Sequence, residues 1–135
     1  MLYFLFNFVE KYFNMEISDL YEYCLNKKGV TEHFPFDNNT LVFKIGGKIF
    51  MLTSLSNWEK GRKFINVKCN PELAIEQRTS YNAVLPGFHM NKTHWNTIDT
   101  QSDMSYKEIL KCIDHSYDLV FKSLSNKIKN EIDLL

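Results

Sequence analysis

Leu41-Val42-Phe43-Lys44-Ile45-Gly46-Gly47-Lys48-Ile49-Phe50-Met51-Leu52-Thr53 reads as two β-rich strands joined by a two-residue glycine loop. Paired glycines between alternating apolar runs are a hairpin signal, because the favoured tight turns need positive φ at their central residues. Pairing across this loop sets Phe43 opposite Phe50 and Leu41 opposite Leu52. Leu41, Phe43, Ile45, Phe50 and Leu52 would then share the core face, and Val42, Lys44, Met51 and Thr53 a mixed, partly wet one.

Upstream of the hairpin, Ile17, Leu20, Tyr21, Cys24 and Leu25 fall on one helix face. Glu16, Asp19 and Glu22 suit the start of that helix, and Lys27, Lys28 and Gly29 its end. Val30 to Phe36 reads as a turn. Downstream, Ser54 to Lys63 reads as a polar loop and Phe64 to Lys68 as a strand. Asn70-Pro71-Glu72 opens a short helix to about Tyr81, with an N-cap, a first-turn proline and an acid in sequence. Asn82 to Leu85 and His94 to Ile98 can extend as strands around the turn Pro86-Gly87. Ser105 and Glu108 form a capping box for a long helix whose apolar face runs Tyr106, Ile109, Leu110, Ile113, Tyr117, Val120, Phe121 and Leu124. The tail from Ser125 either prolongs this helix or frays.

The predicted order of helix, hairpin, strand, short helix, two strands and long helix defines an α+β domain. Its antiparallel sheet carries the N-terminal and C-terminal helices on one face. At 135 residues with 44% hydrophobic and 24% charged residues, the chain is long and apolar enough for one domain with its own core. Residues 15–135 form that domain. Met1 to Asn14 stand apart, either as an extension or as codons upstream of a start at Met15, the reading favoured because the domain pattern begins at Glu16. The apolar run within them is too short to span a bilayer, and no membrane association is expected. Cys24, Cys69 and Cys112 are odd in number and lack paired spacing. They are expected to be reduced thiols in a cytoplasmic protein, with no structural metal.

Sixteen basic residues balance sixteen acidic ones, which counts against nucleic-acid binding through bulk charge. The charge is nonetheless segregated: Lys44, Lys48, Lys60, Arg62, Lys63 and Lys68 face a single acid, Glu59, between positions 41 and 68. Those cations are candidate DNA contacts, as is Lys92. The second candidate is Pro86-Gly87-Phe88-His89-Met90-Asn91-Lys92-Thr93-His94-Trp95-Asn96-Thr97-Ile98, a turn-rich segment dense in recognition groups. Within it His89, Asn91, Lys92, His94, Trp95 and Asn96 are the candidate ligand-site residues. His89 and His94 are five apart, so they share neither a helix face nor a strand side, and no metal or cofactor is expected from them. A structural use is the stronger expectation, with His89 and Asn91 tying a turn and Trp95 capping the core. His115, if it met the motif in space, would strengthen a site there. A partner protein docking on Val42, Met51 and Thr53 is a third reading.

Several blocks together resemble the MmcQ/YjbR family. They are Cys24-Leu25 with Gly29-Val30-Thr31-Glu32 and Phe34-Pro35-Phe36, the strand Leu41 to Lys44, Asn66-Val67-Lys68-Cys69 with Pro71-Glu72, the segment Pro86 to Thr97, and Asp114-His115-Ser116-Tyr117-Asp118-Leu119-Val120. Their order is kept over roughly residues 16–124. The resemblance implies a CyaY-like α+β fold, a bacterial origin and DNA binding through a "double wing" surface. The departures are the first fourteen residues and Asn26-Lys27-Lys28 in place of a proline-containing turn. The expected function is weak or non-specific DNA binding through the basic hairpin region, by a non-enzymatic and most simply monomeric protein. The alternative is a small-ligand or enzymatic site built on Pro86 to Ile98.

Overall fold

The computed structural model describes residues 14–135. The expectation for the N-terminal extension falls, except for Asn14, outside the described residues. Helix α1 (Ile17–Leu25) leads to strand β1 (Val30–His33), then β2 (Thr40–Ile45) and β3 (Lys48–Ser54). Helix α2 (Leu55–Glu59), β4 (Phe64–Lys68) and α3 (Pro71–Ser80) follow. The chain ends with β5 (Val84–Pro86), β6 (Trp95–Asp99), α4 (Tyr106–Ser123) and α5 (Asn126–Asp133). The strands form one antiparallel sheet in the order β1-β2-β3-β4-β6-β5. Helices α1 and α4 pack on one face of it, as expected for this α+β class. Among the described residues no helix is long and apolar enough to cross a membrane.

The hairpin forms with a different register. Gly46 and Gly47 take φ of 57° and 81°, and Ile45 pairs with Lys48 and Lys44 with Ile49. Beyond that point a β-bulge makes Phe50 an extra residue, so Phe43 faces Met51, Val42 faces Leu52 and Leu41 faces Thr53. The anticipated pairings of Phe43 with Phe50 and Leu41 with Leu52 are therefore corrected. The bulge lets Phe50 and Met51 both point to the helices, where each is fully buried, and it sends Leu52 to the opposite face. Met51 and Thr53 are not on a wet face, and with Val42 also buried the three offer no docking surface.

The bulge leaves a gap in the ladder that α4 fills. The β3–β4 register pairs Met51 with Val67 and Leu52 with Asn66, so Phe50 would next meet Lys68. Instead the buried Ser116 hydroxyl stands between them, donating to the Phe50 carbonyl and accepting from the Lys68 N–H at 2.8 Å. Its neighbours on α4 are tied as firmly. Asp114 holds Lys27 and the Tyr23 hydroxyl of the α1 end, and the Tyr117 ring meets Phe50 edge-on at 5.5 Å.

Three further segments depart from expectation. Val30 to His33 is an edge strand rather than part of a turn, with Gly29 at φ 73° turning the chain into it. Ser54 to Lys63 is not all loop: the Ser54 hydroxyl accepts from Asn57 N–H and starts α2, whose buried Trp58 donates its indole N–H to Thr53 Oγ1 at 2.7 Å. The tail neither prolongs α4 nor frays. Leu124 is extended, Ser125 caps a new helix at Ile128 N–H, and the turn lays Leu124 and Ile128 against Gly46 and Ile132 against Gly29.

Candidate functional site

The segment from Pro86 to Ile98 closes the β5–β6 hairpin and overhangs the sheet face away from the helices. Its entry is a close approach of two backbones: Gly87 N–H donates to Trp95 O at 2.9 Å, and a Cβ on Gly87 would lie 2.8 Å from Trp95 Cβ. Only glycine fits there. Phe88 N–H then donates to Thr97 Oγ1 at 3.0 Å, the Thr97 hydroxyl donates to Asn66 Oδ1 at 2.6 Å, and Asn66 Nδ2 donates to Leu52 O at 3.3 Å. This chain of bonds runs from the loop across β6 and β4 to β3. It leaves the buried polar groups of the sheet face satisfied.

The loop itself is braced from within and from behind. Asn91 Oδ1 accepts from Thr93 N–H at 2.9 Å and His94 N–H at 3.3 Å, and Lys92 Nζ donates to Gly87 O at 3.1 Å. Arg78 of α3 donates through Nε to Asn96 Oδ1 at 2.7 Å and through its guanidinium to the carbonyls of Trp95 and Lys92. Asn91 thus ties a turn as expected. His89 differs: it is the one non-glycine residue at positive φ among the described residues, at 58°. Such a conformation costs on the order of 1 kcal/mol or more and is kept where the surroundings impose it. Trp95 does not cap the core, because the β6 register puts it with Thr97 on the face away from the helices.

Beneath this loop lies a groove of about 480 Å³. Phe36, Phe64 and Phe88 wall it, and Leu52, Asn66 and Thr97 form its floor. Ser54 and Asn57 close one end, and His89 and Met90 stand at the rim. The Phe64 and Phe88 rings lie 6.3 Å apart. Phe36 is 67% exposed and Phe88 46%, unusual for rings facing a shared concavity. No Asp, Glu, Lys or Arg side chain lines the groove. Asp37, beside Phe36, is committed to the N–H groups of Asn39 and Thr40, which hold its carboxyl below the usual range.

The six cations of positions 41–68 do not form one patch. Lys48 turns to the helix side, where it reaches Ser123, and Lys63 pairs with Glu16 at 3.3 Å and lies over the Trp58 ring. Lys44 and Lys68 emerge on the groove face by register, beyond one end of the groove. Lys60 and Arg62 are exposed in the turn at the other end, with Arg62 N–H bonded to Asn57 O at 2.7 Å. His94 is exposed and its carbonyl accepts from Cys69 N–H. Asn96 is buried on the helix side.

His115 does not meet the motif. It accepts from Asn70 N–H at 3.1 Å and lines a separate cleft behind the sheet. Burial holds its pKa below the ordinary histidine value. The three thiols are free and buried, and burial pushes Cys24 up to about 12 and Cys69 and Cys112 to about 11. These are packing groups, not nucleophiles. Among the described residues no three His, Cys, Asp or Glu side chains gather as a metal set.

A single antiparallel sheet, sealed by helices on one face and carrying a loop-roofed aromatic groove on the other, defines a small open-faced α+β domain. The chain belongs to the YjbR family, whose model matches residues 25–119. It is 35% identical to YbdF of Escherichia coli O157:H7 over 99 residues, 73% of this chain and 79% of that one. It is 31% identical to YjbR of Escherichia coli strain K12 over 104 residues, 76% and 85% of the two chains. Among solved structures, the Deinococcus radiodurans protein DR2400, with its DUF419 domain, superposes with a TM-score of 0.80 at 28% identity over 87% of this chain and 88% of that one. A Pseudomonas syringae protein superposes with a TM-score of 0.65 at 25% identity, covering 78% and 99%.

Proposed function

We propose that this domain binds unpaired nucleic acid across the open face of the sheet, with bases stacking on Phe88 and Phe36. The observation that carries the reading is the groove: two exposed rings over an uncharged floor of Leu52, Asn66 and Thr97. Stacking on aromatic side chains is sequence-tolerant and contributes about 1–3 kcal/mol per base. Cations lie beyond both ends of the groove, the half-buried Lys44 and Lys68 at one and the exposed Lys60 and Arg62 at the other. Phosphates flanking a stacked base would meet them there. A duplex hides its base faces and would gain only the phosphate contacts.

The test is fluorescence anisotropy with labelled single-stranded and duplex DNA of one sequence at several salt concentrations. Tighter binding of the single strand is expected, with a log–log salt slope near about −3 if four cations each neutralise a phosphate. Phe88→Ala should weaken that binding about tenfold, and the double variant Lys60→Ala, Arg62→Ala should flatten the slope by roughly half. Flat titrations at low salt would overturn the reading. The uncharged lining of the groove would then favour a neutral planar small molecule, to be sought by ligand screening.

A further inference from the structure

A second concavity lies on the helix side of the sheet, between α3 and α4, and shares no lining residue with the groove. Its volume is about 360 Å³, at the small end of the roughly 300–1,000 Å³ typical of small-molecule sites. Leu73, Met104 and Cys112 give it an apolar interior, with Met104 and Cys112 both buried.

Most of its polar groups are already satisfied. The Gln77 amide lies between two thiols, with Nε2 3.7 Å from Cys112 Sγ and Oε1 3.8 Å from Cys69 Sγ, and Oε1 also accepts from Asn96 at 3.4 Å. Tyr81 donates its hydroxyl to Glu108 Oε1 at 3.2 Å, and Glu108 Oε2 accepts from Ser105 N–H at 2.8 Å. Two groups are left over. Lys111 makes no hydrogen bond or ion pair among the described residues. In His115 the Nε2 atom accepts from Asn70 N–H, so the neutral ring carries its proton on Nδ1 and keeps one donor unused. Lys111 and His115 are four apart on α4, hence neighbours on one helix face.

The Glu108 carboxylate in the cleft wall is taken up by Tyr81 and Ser105, so among the described residues one cation without a partner, one unused neutral donor and an apolar interior of limited volume are left to meet a ligand. We propose that the α3–α4 cleft binds a small monocarboxylate, its carboxylate on Lys111 and His115 and its apolar body against Leu73 and Met104. A dianion would leave a charge unmatched. A neutral compound of the same shape would forgo the ammonium, since charge-assisted hydrogen bonds are the strong ones.

Benzoate is a suitable probe, with benzamide as its neutral counterpart. Both are titrated at constant ionic strength into protein labelled at the methionine methyls and backbone amides, and read by NMR. Saturable movement of the Met104 methyl is expected, with benzoate bound about tenfold more tightly than benzamide. In Lys111→Met the two affinities should converge. In Leu73→Trp, which fills the cleft, both should vanish while the remaining spectrum is kept. Non-saturating shifts, or equal benzoate affinity in wild type and Lys111→Met, would overturn the proposal. Resonances of Phe88 and Thr97 report the groove independently in the same spectra.

Discussion

The two faces of the sheet are made by the same strands and have opposite characters. On the helix side Phe43, Phe50, Met51, Ile65 and Ile98 are fully buried, and the bulge carbonyl is met by a serine placed for it. On the other side aromatic rings stand exposed around a groove, and the polar floor is satisfied strand to strand without filling the space above it. The difference separates what holds the domain together from what is free to bind. A side chain on the helix face should matter to stability, and one on the groove face to ligand.

The largest contrast should come from paired ring deletions. Phe43→Ala should cost about 3–5 kcal/mol in urea unfolding, because it empties a sealed core position. Phe88→Ala should cost less than about 1 kcal/mol, because its ring is already half in water. Similar losses for both would abolish the distinction between the faces. Next, Ser116→Ala should cost about 2–6 kcal/mol, since it orphans both the Phe50 carbonyl and the Lys68 N–H at about 1–3 kcal/mol each. Hydrogen exchange should then report faster opening of Lys68 than of Val67.

Gly87→Ala tests the groove's roof. The added methyl meets Trp95 Cβ and carbonyl at contact distances too short to keep, so a loss of about 1–3 kcal/mol is expected, with the loop displaced from Thr97. The smallest effect is in pH. His115 titrates lower in the folded state than its ordinary 6.5, so protonation favours unfolding. Its contribution is complete above that value and declines as pH falls below it, through the folded pKa. His115→Gln, which can still accept from Asn70 N–H, should flatten the urea midpoint between about pH 7 and pH 5. An unchanged slope would show that the imidazole is not the group responsible.

Much of the architecture is legible in the sequence, for local reasons. The caps at Asn70 and Ser105 and the glycines at 46 and 47 each state a backbone conformation that no distant contact has to supply. The bulge is different. Ile49-Phe50-Met51-Leu52 is apolar throughout, so alternation cannot say which side each residue takes, and the deciding partner, Ser116, lies sixty-six residues away. Trp58 and Ser54 carried the signal for α2, but five residues are too few for periodicity.

The site was legible by halves. The segment from Pro86 to Ile98 stands out by composition, and Phe88, His89, Met90 and Thr97 do line the groove. Phe36, Leu52, Ser54, Asn57, Phe64 and Asn66 come from four other parts of the chain, and nothing in their spacing tells that they converge. Arg78 braces the loop from a helix fourteen residues upstream of Lys92, with no local mark of that role. The basic run is contiguous in sequence only: the fold turns Lys48 and Lys63 to the face opposite Lys44 and Lys68.

The extra residue at Phe50 also acts as a phase shifter within one strand. Lys48 and Ile49, near the turn, keep the parity dictated by Gly46-Gly47, whereas Leu52 and Ser54 obey the opposite parity dictated by the groove. Deleting Phe50 would couple the two ends again and force one of them to present the wrong side chains.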